Sequence, residues 1–414
     1  FAPKNKNMKY LLTAFCAFVL FSCSKDDDKP TTPQLASRTV IIYISGENSL
    51  SSFATGDLKE MTEASKLIDS NNHLVVFFDN ASTREMPYIA ELKNGEVVKD
   101  TGLQFSEDFY ASDPEKMREI LTYIMQRYPA KSYGIDLWGH GSGWLITNDS
   151  IATTKTASRA YGIDNGGNRS YDSGKWINIP SLAKVFSQLP QPFLFVMGDC
   201  CFFQCVETAY EMKDCTRYII GSPSEVPGDG AAYREVLPLA FSESADFYKD
   251  IIDKSEEFTI ETNYDKSGVP LSCMFTGGVE RFAAATARLM PRLLMYDNFE
   301  GKRVIYYGQF VADNGRKAKG YYDPKNLLKE YATDADAAAL AEWNQALGQF
   351  VVYSKMVSEW LQNTGVDFTD FDVNEQTFSG VSMFVPQPMY ESLSPNPNET
   401  IKQMKWAKAV GLTD

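Results

Sequence analysis

The chain has 414 residues, 44% hydrophobic and 13% aromatic, enough to bury a large core, which excludes a disordered or low-complexity protein. Its formal net charge of -14 excludes a general nucleic-acid binder, whose affinity needs a basic face, and fits the solubility of an exported protein. The seven cysteines, clustered at 200, 201 and 205 and otherwise scattered, lack the even spacing of a disulfide framework; with only His73 and His140 beside them they complete no zinc site, so no metal ligand is assigned.

Met8-Lys9 opens a short positive region, and Tyr10 to Phe21 is an apolar run too short to span a bilayer, so residues 1–23 read as a signal peptide, with residues 1–7 preceding the start. The run closes on Leu20-Phe21-Ser22-Cys23, which resembles a bacterial lipobox with Cys23 as the lipidated residue; an ordinary secretory signal is the alternative. Residues 24–38, with Asp26-Asp27-Asp28 followed by a Pro/Thr stretch, read as a solvated tether. An acidic run behind a lipid-bearing cysteine resembles the surface-export signal of Bacteroidetes lipoproteins. That implies an outer-membrane or cell-surface lipoprotein of a Gram-negative bacterium, touching the membrane through its lipid only.

Thr39 to Ile44 and Leu74 to Phe78 are β-branched or aromatic runs, and 57–68 between them has helical composition, which makes a βαβ unit. Asp113-Pro114 starts a helix whose Met117, Ile120, Leu121 and Ile124 form one apolar stripe, ahead of a strand at 133–137. A third helix starts at Pro180 and leads to the strand 193–197; a fourth at 206–212 leads to 218–220. This alternation predicts an α/β fold with a mostly parallel central sheet and helices on both faces. Farther on, helices are expected at 245–261, 279–296 and 335–361, with strands near 303–307 and 379–385.

Ligands of such sheets bind beyond the carboxyl ends of the strands, where Gly139-His140-Gly141-Ser142-Gly143-Trp144 and Gly198-Asp199-Cys200-Cys201 fall. The glycines around His140 allow a sharp turn and the close approach of a substrate carbonyl. Cys201 follows a strand and precedes a helix whose N-terminal amides would favour a thiolate, whereas His73 at a strand start reads as structural.

The run Asp199-Cys200-Cys201, with Glu207, Ala209-Tyr210 and Glu211, resembles the nucleophile motif of the clostripain family, and His140 to Trp144 its histidine motif. Ser224-Glu225, Pro227 to Gly230 and Tyr233 are similar to the family's pocket segment, and Ser379 to Pro386 to its late strand. The resemblance implies a caspase-like fold, with a catalytic core over 39–240 and a C-terminal extension over 241–414 that completes the sheet and adds a helical subdomain. It further implies a cysteine endopeptidase in which Cys201 attacks, His140 moves the proton, and the backbone amides of Gly141 and Cys201 hold the oxyanion.

The resemblance implies cleavage after Arg or Lys, with Asp199 and Asp229 as pocket carboxylates; a Gly-Asp-Gly turn explains Asp229 equally well. Cys200, Phe202-Phe203 and Ala231-Ala232 depart from the family pattern, which reshapes the pocket more than the chemistry. The resemblance also implies self-cleavage within 148–176, which carries Lys155, Arg159, Arg169 and Lys175; an ordinary polar loop explains that stretch as well. No cofactor is required. Calcium is used by some members, but Asp164 and Asp172 in that stretch lack regular ligand spacing. Two other readings stand beside the peptidase: a catalytically silent surface lipoprotein that uses the scaffold for binding, and a cysteine hydrolase or transpeptidase acting on unusual amides. The sequence is silent on oligomeric state.

Overall fold

In the computed structural model the described residues are 35–413, apart from 82–84, 147–160, 167–173, 263–267, 301–302, 312–316 and 363–366. The signal segment, Cys23, most of the tether, Lys155, Arg159, Arg169 and Asp172 lie outside them. Among the described residues no helix is long and apolar enough to cross a membrane.

The strands are β1 (Ala36–Gly46), β2 (Asn72–Asn80), β3 (Tyr88–Lys93), β4 (Glu96–Lys99), β5 (Ala130–Trp138), β6 (Tyr161–Asp164), β7 (Lys175–Ile177) and β8 (Phe193–Asp199). They continue with β9 (Thr216–Gly221), β10 (Ser272–Phe275), β11 (Tyr306–Val311), β12 (Lys317–Tyr322), β13 (Val351–Ser354), β14 (Glu359–Gln362) and β15 (Asp367–Asp370). Nine of them form one sheet in the order β13-β10-β9-β8-β5-β1-β2-β3-β4. The pairs from β9 through β2 are parallel, and the two strands at each edge run antiparallel.

β1 shows why the sheet is double-faced. Ile41 and Tyr43 point into one core, Val40, Ile42 and Ile44 into the other, and all five are fully buried or nearly so. The second face is covered by the helices Ser51–Ala64, Tyr233–Ala240 and Phe247–Thr262. The first is covered by Pro114–Arg127, Ile179–Ser187, Val206–Met212, Val279–Leu293 and Ala337–Phe350. Each fully buried aliphatic side chain contributes roughly 1.5–3 kcal/mol, so both faces are needed. The helix at 114–127 starts as expected: Pro114 occupies its first turn, and Asp113 Oδ1 accepts from the amides of Glu115 at 2.9 Å and Lys116 at 3.1 Å.

The chain runs from β1 to β2 on one side and then to β5, β8 and β9 on the other, so the strand order reverses at β1/β5. That reversal opens a crevice at the carboxyl ends of β1, β5 and β8, the ends that carry Ser49, His140 and Cys201.

The later part of the chain departs from expectation in several elements. The first strand begins at Ala36, inside the expected tether. The helix expected over 335–361 ends at Phe350, where the β-branched pair Val351-Val352 continues as β13 and joins the main sheet beside β10. Residues 379–386 make isolated bridges at Ser382 and Met383 rather than a strand, and the strand expected near 303–307 is β11 at 306–311. β3 and β4, unanticipated, cap the β2 edge.

A single carboxylate ties the later segments together. Asp323, fully buried, caps the helix Pro324–Tyr331 through the amides of Lys325 and Asn326, and its Oδ2 accepts from Tyr307 Oη at 2.6 Å and from Ser379 N and Oγ at 2.7 and 2.8 Å. Replacing it strands the Tyr307 hydroxyl and the amides of Ser379 and Asn326, and also the half-buried amide of Lys325. Asp323→Ala is therefore expected to lower stability by about 3 kcal/mol or more in urea unfolding, whereas a loss under about 1 kcal/mol would show that this knot is dispensable.

Candidate active site

His140 stands two residues beyond the end of β5, on a loop shaped by Gly139 at φ +145° and Gly143 at φ +66°. A Cβ on Gly143 would meet both Cys205 Sγ and Phe202 O at 2.7 Å, so no side chain fits there. Trp144, fully buried against Phe384 and Phe310, anchors the loop's far end to the segment that includes 379–386. The His140 carbonyl accepts from Gly162 N at 2.8 Å, and its ring Nε2 meets Ser49 Oγ at 2.9 Å. Ser49 is a partner that the sequence did not reveal, since it arrives from the loop after β1.

Cys201 lies two residues past β8 in a turn whose next residue, Phe202, takes the left-handed conformation at φ +58°. That strain in a bulky residue is offset by its surroundings. Phe202 N donates to Ser224 O at 2.9 Å, and its ring stacks on Tyr321 at 4.6 Å, while Tyr321 Oη donates to Ser142 O at 2.6 Å. The C-terminal strand β12 thereby braces the histidine loop and the cysteine turn together.

The two loops meet at Gly141, where an added Cβ would stand 2.5 Å from the Cys201 carbonyl and 3.1 Å from Cys200 Sγ. Among the described residues, neither the Gly141 amide nor the Cys201 amide donates to another backbone carbonyl. The Cys201 amide lies against its own Sγ, where it favours the thiolate.

The expected thiolate at a helix start is corrected here. The helix begins at Val206, capped by Cys205, so its amides do not reach Cys201. Burial pushes the Cys201 thiol up to about 12, assisted by the negative charges of Glu225 and Asp199 and opposed by the Val226 amide, which donates to Sγ at 3.4 Å. Cys200, Cys205, Cys215 and Cys273 are buried, and burial raises their thiols too.

His140, Gly141 and Cys201 line one cleft of about 480 Å³ together with Trp138, Asp199, Glu225, Pro227, Gly228 and Gly230. Asp199 is half-buried in its wall; Oδ2 accepts from Ala231 N at 3.0 Å. Tyr233 Oη lies 2.7 Å from Asp199 Oδ2 and equally 2.7 Å from Asp136 Oδ2. One hydroxyl carries one proton, so one of the two acids must supply another. The proton belongs on Asp136, fully buried and held well above the carboxylate range by burial and then by the Asp199 charge.

Behind the wall sits Asp57, which the sequence reading had placed in a helix without a role. It accepts from Trp138 Nε1 at 2.7 Å, and burial, then the charge of Asp199, raises it to about 8. Its Oδ2 and that of Asp199 converge on Gly230, at 3.2 and 2.7 Å from where a Cβ would stand. Asp229 itself is exposed on the turn between two glycines that line or border the cleft. His73, as expected, is structural: its Nδ1 meets Glu91 Oε1 at 2.7 Å across β2 and β3. Of the possible cleavage positions, Lys175 lies in β7, paired with β6.

The clostripain family profile matches residues 42–395. The chain belongs to the clostripain family. It is a cysteine-type peptidase, and its caspase-like fold is shared with solved structures. A secreted cysteine protease from Bacteroides thetaiotaomicron, solved with an irreversible peptide inhibitor, is 26% identical, with a TM-score of 0.73 over 91% of this chain and 99% of that one. An inactive zymogen protease from Parabacteroides distasonis shares the fold at 23% identity and a TM-score of 0.72, again over 91% and 99% of the two chains. No curated protein matches the sequence.

With the thiol raised to about 12, the thiolate fraction of Cys201 grows about tenfold per pH unit from 7 to 10. Alkylation of Cys201 in the intact chain by iodoacetamide, followed by peptide mass spectrometry, is expected to climb throughout that range. A plateau below pH 8 would show that the thiolate is already formed.

Proposed function

We propose that the protein is an endopeptidase that cleaves after Arg or Lys, with Cys201 as nucleophile and His140 as general acid and base. The observation that carries this reading is the shared cleft, in which the histidine loop, the cysteine turn and the Asp199 carboxylate converge. In the acylation step Cys201 gives its proton to His140 as Sγ attacks the substrate carbonyl. The Gly141 and Cys201 amides hold the resulting oxyanion, and His140 returns the proton to the leaving amine. Water, deprotonated by the same imidazole, then attacks the thioester carbonyl; the C–S bond breaks, the carboxyl product leaves, and His140 returns the proton to Sγ. Ser49 positions the ring through Nε2.

A guanidinium or ammonium entering the cleft supplies the positive charge that this acid-rich wall lacks. Asp199 pairs with it, Asp57 ionises in response, and Asp229 adds long-range attraction from the rim. The chain matures by self-cleavage within 148–176, at Lys155, Arg159 or Arg169. The protein acts outside the cytoplasm as a lipoprotein anchored through Cys23, with proteins or peptides as substrates; its chemistry takes no cofactor.

A panel of fluorogenic peptides ending in Arg, Lys, Asp, Asn or Leu tests this reading. Cleavage is expected after Arg and Lys only, is abolished in Cys201→Ala and is retained in Cys200→Ala. Asp199→Asn is expected to lower kcat/KM for the basic peptides about 100-fold, equivalent to roughly 3 kcal/mol for one charge of a desolvated pair left unmatched. Because Asp57 titrates near 8 and a cation prefers its ionised form, preference for Arg should strengthen as pH rises through 8, and Asp57→Asn should flatten that rise. Turnover of Leu peptides by Asp199→Asn at the wild-type Arg rate, or no turnover of any peptide, would contradict the assignment.

A further inference from the structure

Part of the cleft wall is apolar rather than acidic. Leu50, Phe202, Val226, Pro227 and Leu361 line it beside His140 and Cys201. Among the described residues of that lining, all but Leu361 lie at or before Gly230 in the chain. Leu361 arrives from β14, in the C-terminal extension. Its position was expected to close a helix, so nothing in the sequence pattern aimed it at the cleft.

The strand is built to present this residue. Successive side chains of a strand point to opposite sides, so Trp360 and Leu361 divide the two faces of β14. Trp360 is fully buried; its ring stacks on Phe371 with centroids 4.6 Å apart and stands 5.1 Å from that of Tyr307. Tyr307 is held in turn by Asp323 at 2.6 Å. The Glu359 carbonyl accepts from Gly268 N at 3.1 Å, and the Ser358 carbonyl from Phe371 N at 2.8 Å. With its neighbours fixed in this way, Leu361, 8% exposed, is turned to the cleft that it lines.

The chemistry decides which part of a substrate lies there. His140 must return a proton to the leaving amine, so the residues after the cleaved bond lie on the histidine's side. The residues before that bond run along the other wall, where Asp199, Val226 and Gly230 stand. β14 adjoins this wall: Gly268, which holds Glu359, is followed by Val269 and Leu271, and these two share a small cavity with Asp199, Val226 and Gly230. An extended substrate turns successive side chains to opposite sides, so the residue before the basic one points away from Asp199.

Resting on the endopeptidase reading above, we propose that Leu361 is a specificity-determining residue that receives an aliphatic side chain from the substrate residue directly before the basic one. The substrate class narrows accordingly, from any basic peptide to aliphatic-basic pairs. Contact with the leucine removes apolar surface of both partners from water, a gain that glycine in that place cannot supply. Asp199 reads charge and Leu361 reads the neighbouring side chain.

The test compares fluorogenic peptides that end in Arg and differ in the residue before it, Leu or Gly, together with one in which Leu stands one place further back. The full-length wild type is expected to show kcat/KM about tenfold or more higher for Leu-Arg than for Gly-Arg. Leu361→Ala is expected to cut that ratio at least about fivefold, whereas a purely structural residue would lower both rates together and leave the ratio as it was. If Leu361→Ala fails to fold, Leu361→Val, one methylene shorter, decides, with the ratio lowered about threefold. A wild-type ratio near one, a ratio unchanged in the folded variant, or a preference that appears only with Leu one place further back would overturn the proposal and leave the endopeptidase reading standing. Cleavage of none of these peptides would instead overturn that reading, and this inference with it.

Discussion

The approach of two backbones at Gly141 is the constraint on which the site depends. Histidine and cysteine are carried by different strands, β5 and β8, and their loops can share a cleft only because a hydrogen stands where any other residue would press a Cβ onto the Cys201 carbonyl. The surroundings sustain that approach. Gly143 yields space to Cys205, Phe202 accepts a left-handed backbone, and Tyr321 clamps both loops from a strand that lies 120 residues beyond Cys201. The strain is local; its support is distributed over the whole chain.

The electrostatics follow a single theme, burial of acid without enough base. Asp57, Asp136, Asp199 and Glu207 are all raised, with burial as the first cause in each case. Glu207 illustrates the structural use of such a group: it holds the amide of Phe384 at 2.7 Å and so fastens the segment after Cys201 to the late segment. Asp199 differs because it lines an open cleft, with Asp57 behind it, where a substrate can bring the missing charge. Under the proposed reading a basic side chain supplies the charge this pocket lacks, so affinity for it follows from burial of acid without base.

The parallel part of the fold was legible in the sequence because each strand there is buried on both faces and reads as a continuous apolar run: 39–44, 74–78, 133–137, 193–197 and 218–220 all lie inside observed strands. The edge strands were not. β3 and β4 carry alternating or charged residues, and β13 follows a helix without a turn signal, so tertiary pairing rather than local pattern decides them. In the site, His140, Gly141, Asp199 and Cys201 were visible as glycine-framed residues at strand ends, and they line a single cleft. Ser49, Asp57 and Tyr233's double contact were not, because their significance arises from neighbours 81 to 97 residues away, as in Asp57 with Trp138 and Tyr233 with Asp136.

The central claim is that the cleft unites one nucleophilic thiol with a pocket for a basic side chain. Its most direct measurement is the intact mass and adduct position after incubation with a thiol-reactive peptide whose reactive end carries Arg, in parallel with the same peptide ending in Leu. The account predicts a single adduct, on Cys201, formed with the Arg reagent and lost when Asp199 is replaced by Asn. Equal labelling by both reagents, or an adduct on Cys200 or Cys205 instead, would contradict it.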